Sequence, residues 1–230
     1  MTAPPLTTRK AWLTAAIFCI AYILIQSFQE YVFRTIPPPK DPTEELLQGR
    51  LPLHIWRSAL LLLSFFPLLY VFLVIVLSNF RGNPILFSTA FIGLFIFCFL
   101  EISIRSVELF YIQIQLPDAL LAAKDAAVRN SILDRFSLFQ SIQQALYFPL
   151  MLAQAISSFI LAIAFSRKPP SNWMIKTAFA INAFRLAGRI IAMTFHVSWF
   201  NSFSGSLYLP FVVIIFGLMT VWLLKTRHPR

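Results

Sequence analysis

Cysteine is nearly absent from this chain: Cys19 and Cys98 are the only two, and both fall in apolar stretches. Such a pair supports no disulfide framework, leaves the redox compartment open, and reads as two small buried hydrophobes. Glycine is scarce as well, six residues in 230. That leaves little for a phosphate-cradling loop, and neither a Walker A nor a dinucleotide-binding pattern occurs. Histidine numbers three, whereas a zinc site wants three or four ligands. His54 and His196 with Glu101 and Glu108 are the one combination to weigh, and no H-E-x-x-H or G-x-S-x-G is present. Neither a metal nor a cofactor is expected, and no transporter-like internal repeat stands out.

Charge is sparse too, and acids are its rarer sign. Only 12% of residues are charged, with 9 Asp and Glu against 19 Lys and Arg. What fills the chain instead is hydrocarbon: 58% of residues are hydrophobic and the mean hydropathy is +0.75. Several runs reach the roughly 20 residues needed to cross a bilayer. Six spans are expected, at about 11–29, 55–79, 85–107, 136–165, 174–198 and 206–225. All are helical candidates, because open sheets cannot satisfy their edges in lipid and no barrel-like alternation occurs. The expected fold class is all-α, one polytopic six-helix membrane bundle over residues 1–230.

The net charge of +10 invites a nucleic-acid reading, but its distribution argues against one. With six spans, one side carries Arg9, Lys10, Arg81, Arg167, Lys168, Lys176, Lys225, Arg227 and Arg230, and no acid. The other side holds every acid outside the spans: Glu30, Asp41, Glu44, Glu45, Asp118, Asp125 and Asp134. The positive-inside rule then predicts both termini in the cytoplasm of a bacterial inner membrane, with the lipid bilayer, not nucleic acid, as the partner. Met1–Lys10 followed by an apolar run has the order of a signal peptide; without a small-x-small cleavage site it is expected to stay as the first span. Trp12, Trp173 and Trp222 fall at the inner boundary and Trp56 and Trp199 at the outer, where amphipathic rings prefer to lie.

Along the chain, Asp41 to Gly49 reads as a small helix with Asp41 as N-cap, Pro42 in the first turn and Gly49 as stop. Leu46, Leu47 and Leu51 would rest it on the bundle or the membrane surface. The third helix is expected to end at Pro117-Asp118, which caps an amphipathic segment, Ala119–Leu133, carrying an Asp125/Arg129 pair. The last span is expected to face lipid or a partner.

Three polar stripes interrupt the hydrocarbon. Glu101, Arg105 and Glu108 stand at i, i+4 and i+7 and share one helix face. On the fourth span Gln140, Gln143, Gln144, Tyr147, Gln154 and Ser158 fall in one sector, and on the fifth so do Asn182, Arg185, Arg189 and His196, at about 100° per residue. At about 1.5 Å rise per residue, Glu101, Gln143 and Arg189 lie within about 10 Å of the outer boundary. Ionisable groups in a span are costly and usually face a protein interior or a wet cavity. The candidate ligand-binding set is therefore Glu101, Arg105, Glu108, Gln140, Gln143, Gln144, Tyr147, Arg185, Arg189 and His196, with Glu101 expected to pair with Arg189 or Arg185. Arginines outnumber acids in this set, which suits a small polar or anionic ligand or a lipid head group. Two other readings stay open. The stripes could only hold helices together, in a non-catalytic subunit that forms a homo-oligomer or docks a membrane partner. Or Glu101 or His196 could carry protons in a membrane-embedded enzyme.

The run Leu53-His54-Ile55-Trp56-Arg57-Ser58-Ala59, the polar-studded helix around Glu101 and Arg105, and the long helix after Asp134-Arg135-Phe136 resemble a bacterial family of six-helix membrane proteins known only as a domain of unknown function. The similarity spans roughly residues 50–225. It implies the fold and no activity.

Overall fold

A computed structural model describes residues 7–166, 169–195 and 207–226, all helices and their connections, with no strand among them. The helix boundaries follow local chemistry. α1 (Arg9–Thr35) opens on Thr8, whose hydroxyl accepts from the Ala11 N–H at 3.3 Å, and stops before the Pro37–Pro39 spacer. α2 (Pro42–Gln48) is the small helix expected: Asp41 accepts from the Glu44 N–H at 2.8 Å and Gly49 follows. α3 (Pro52–Asn79) and α4 (Pro84–Ser106) each begin with proline in the first turn, where a missing N–H costs nothing. A single 3₁₀ turn, Phe80–Gly82, and Asn83, which caps the Leu86 N–H, join them. α6 (Ala126–Ala164), α7 (Asn172–Thr194) and α8 (Tyr208–Thr226) complete the chain.

The third long helix departs from expectation. It does not end at Pro117. A π-helical stretch, Val107–Gln115, carries α4 into α5 (Leu116–Ala122), so one rod runs from Pro84 to Ala122. Pro117 falls in the first turn after the register changes, where its lost N–H is tolerated. The break comes at 123–125, and Asp125 spends its carboxylate on the Ala127 N–H, not on Arg129. The fourth long helix correspondingly starts at 126 instead of 136, and both rods outrun the bilayer-length segments read from hydropathy.

Six long helices pack in a closed ring. α1 lies on α3, α3 on α4, α4 on α6, α6 on α7, α7 on α8, and α8 returns to α1. Successive members run in opposite directions, so each end of the ring collects residues distant in sequence. At the end holding the start of α1, Trp12 and Trp222 meet at 5.0 Å between ring centres. Phe165 packs edge-on against Trp222, and Phe87 against Phe165. The Trp222 indole N–H donates to Asn172 at 3.1 Å. This plug seals one end, and it corrects the reading of two tryptophans: Trp12 and Trp222 share the expected end but turn inward, buried. α8 likewise does more than face lipid, since Ile215, Met219 and Leu223 are buried against its neighbours.

At the opposite end the ring is capped by α2 and α5. Leu46 of α2 is buried against Ile112, Leu116, Leu120, Ile132 and Phe136, which answers what that helix rests on. Outside the ring the pattern is inverted relative to a water-soluble protein. Ile17 and Leu24 of α1, Leu63 and Phe66 of α3, Ile92 and Phe99 of α4, and Phe159 and Ile163 of α6 are all exposed. Patches of that extent on a soluble surface would associate, but they suit lipid. Five described helical rods, Arg9–Thr35, Pro52–Gly82, Pro84–Ala122, Ala126–Ala164 and Tyr208–Lys225, are long and apolar enough to cross a membrane, the make-up of a multi-pass membrane protein. α7, which covers most of the expected span 174–198, is not among them, since Lys176, Arg185, Arg189 and its asparagines lower its hydropathy.

Candidate functional site

Ring packing leaves space at the centre. A half-open cavity of about 610 Å³ is lined by all six long helices. Its upper wall, toward the α2 end, is polar: Arg57, Glu101, Arg105, Gln144, Tyr147, Arg185 and Arg189 all face it. Its lower wall, toward the aromatic plug, is apolar: Phe72, Phe97, Phe179, Phe216 and Met219 close it.

One half of the polar wall neutralises its own charge. The Glu108 carboxylate accepts from Arg57 Nη2 at 2.6 Å on one oxygen and from Arg105 Nη1 on the other. Arg105 Nε donates to Glu101 at 3.3 Å, and its Nη2 to the Tyr147 hydroxyl at 3.2 Å. Ser58 and Gln113 add hydrogen bonds to the same Glu108 oxygen, each at 3.3 Å. The string Arg57–Glu108–Arg105–Glu101 therefore alternates in sign and sums to zero charge. It ties α3 to the π-helical turn and α4 to α6. The π-helical stretch begins at Val107, so Glu108 stands in its first turn.

The other half is not satisfied. Among the described residues neither Arg185 nor Arg189 has an ion-pair partner. Arg185 is held in place rather than neutralised. Its Nη2 donates to Asn182 at 3.1 Å, Asn182 donates to Ser158 at 2.8 Å, and its guanidinium lies 5.5 Å from the Tyr208 ring centre. Tyr208 in turn donates to Gln26 at 2.9 Å. Two buried guanidinium N–H groups, the Nε of Arg57 and of Arg185, have no acceptor among the described residues. The expected pairing of Glu101 with Arg189 or Arg185 is thus corrected. Glu101 takes Arg105, one turn along its own helix, because i, i+4 neighbours touch without the ring having to narrow.

Of the sequence-predicted set, Glu101, Arg105, Gln144, Tyr147, Arg185 and Arg189 share the central cavity. Glu108, Gln140 and Gln143 line a separate vestibule of about 400 Å³ beneath α2 and the Pro37–Pro39 spacer. There Gln140 donates to Glu45 at 2.8 Å, pinning α2 to α6. His196 lies outside the described residues. The two spaces meet at Phe33 and Arg57, which line both, with the guanidinium 4.8 Å from the phenyl centre.

Sequence reasoning left Arg57, Ser58, Gln113, Gln26 and Tyr208 out of the site. Arg57 was readable only as the charged opening of a span. Pro52 starts that helix, however, which places Arg57 more than a turn inside it, where a charge needs a partner. Gln26 had a weaker signal, a carboxamide inside an apolar run four residues after Tyr22. No family model, curated protein or solved structure matches this chain.

Proposed function

We propose that the chain crosses a bacterial inner membrane six times, both termini cytoplasmic, and that its central cavity takes up a small polar or anionic molecule from the outer side. One observation carries the reading: two arginines line a half-open cavity with no ion-pair partner among the described residues, while Glu101 on the same wall is held by Arg105. Arg185 is half-buried and Arg189 exposed at the cavity, and an arginine with no carboxylate partner in a pocket is suited to a carboxylate or phosphate. The cavity's volume lies in the range of small-molecule sites. α7 is the sixth span on this reading. Phe184, 80% exposed, and Ile191 supply a lipid face opposite its arginines, so the cations lower its mean hydropathy without facing lipid.

The alternative of purely structural polar contacts applies to one half of the cluster. The Arg57–Glu108–Arg105–Glu101 string is paired within itself and serves as scaffold.

Aqueous access tests the proposal. Single cysteines replace Gln144 and Gln154, in a chain carrying Cys19→Ala and Cys98→Ala, and a membrane-impermeant thiol reagent is applied from outside. Both cavity positions are expected to react, and Phe95→Cys on the lipid face to stay unlabelled. Protection of both cavity positions in a folded protein would refute an outward cavity.

A further inference from the structure

The two walls of the cavity differ in kind, and a purely polar ligand would use only one. Resting on the anion-binding reading above, we infer that the occupant is an anionic amphiphile: a carboxylate or phosphate head on Arg185 and Arg189, and its hydrocarbon in the chamber below.

Three features lead there. First, the guanidiniums stand above the apolar chamber, not at its floor. Tyr208, beside Arg185, and Met219 both line the cavity, and their separation along α8 is about 16 Å at 1.5 Å per residue. Walls of phenyl and thioether groups offer water no hydrogen-bond partner, whereas methylenes match them contact for contact. Second, the cavity has room for a hydrocarbon chain. Its volume, about 610 Å³, lies in the range that takes up drug-sized molecules, and a phosphate with a dodecyl chain is of that size. Third, the cavity has a flank as well as a mouth. A groove on the seam between α6 and α7 is lined by Ser141, Ala145, Phe148 and Thr194, and it shares Gln144 and Met193 with the cavity. An amphiphile in the outer leaflet can reach the arginines along this seam, head first past Gln144, without leaving the membrane.

The test uses the full chain in zwitterionic nanodiscs, with the rate of thiol labelling at Gln154→Cys as readout. Probes are inorganic phosphate, dodecyl phosphate, dodecanoate, and dodecanol at the same bilayer mole fraction. The inference expects dodecyl phosphate or dodecanoate to slow labelling at least tenfold, dodecanol to leave it unchanged, and Arg185→Gln to abolish the protection. Met151→Trp, which fills the chamber without touching an arginine, should remove protection by the dodecyl anions and spare any by inorganic phosphate. Met151→Phe is the milder variant should the tryptophan prevent folding. Protection by inorganic phosphate that equals that of the dodecyl anions, with both Met151 variants silent, would overturn the amphiphile and leave the anion site standing. Labelling that no anion slows would overturn the amphiphile and anion binding together. Absence of labelling without any probe would refute the cavity itself.

Discussion

Among the described residues Glu108 is the one carboxylate shared by two arginines, so Glu108→Gln should be the most damaging isosteric change among them. The substitution keeps shape and hydrogen-bonding capacity and deletes a charge. Arg105 then falls back on Glu101 at 3.3 Å and on Tyr147 at 3.2 Å. Arg57 has no such reserve. Its side chain is 8% exposed, and after Glu108 it retains only the Ser58 hydroxyl and the Phe33 ring. Removing the sole counter-ion of a buried charge costs about 3–5 kcal/mol. A neutral side-chain hydrogen bond inside a membrane bundle averages only about 0.6 kcal/mol, so the charge accounts for most of the loss. Two comparisons follow from the geometry. Glu101→Gln should cost less, about 1–2 kcal/mol, since Arg105 keeps Glu108. Arg57→Met combined with Glu108→Gln should recover most of the loss, because the stranded charge is gone. Reversible unfolding in mixed micelles of an anionic and a neutral detergent, followed by circular dichroism, measures all three. A loss below about 1 kcal/mol for Glu108→Gln, or a double variant no more stable than the single one, would refute the account.

Two further outcomes are expected. A Cβ added at Gly93 would stand 2.1 Å from the Ser157 hydroxyl and 3.0 Å from the Ala153 carbonyl, so the close approach of α4 and α6 at this point requires glycine. Gly93→Ala should lower stability in the same unfolding assay by about 1–3 kcal/mol, and Ser157→Ala in the same chain should relieve part of it. Relief must be incomplete, because the Ala153 carbonyl remains. Leu46→Asp places a charge in the patch that docks α2. It should undo about 2–3 kcal/mol of apolar burial there and expose the segment around residues 40–50 to added protease, while the ring keeps its unfolding midpoint. Resistance of that segment equal to the parent's would mean that Glu45–Gln140 and Arg50–Asp118 hold α2 without Leu46.

Much of the architecture was legible in composition and local signals. A chain rich in apolar runs and poor in charge has few options but helices in lipid, because each helix satisfies its own backbone. Asp41, Pro42 and Gly49 specified α2 by capping chemistry that acts over a few residues, and the face shared by Glu101, Arg105 and Glu108 followed from helical period alone. Pro117 misled for a related reason. Proline terminates a helix whose register continues, and the nine-residue π stretch before it, which shifts that register, leaves no mark in local propensity.

What only the tertiary structure decided is which polar groups meet. Arg57 is 51 positions from Glu108 and Tyr208 is 182 from Gln26, and no periodicity relates such pairs. Ring closure, α8 returning to α1, brings them together. The axis distances set by that closure left Arg185 and Arg189 facing open space and Glu101 with the neighbour on its own helix. Sequence fixes the face on which a charge lies, since that depends on rotation about one helix axis. Whether it is neutralised depends on the distance between axes, which six packed helices settle jointly.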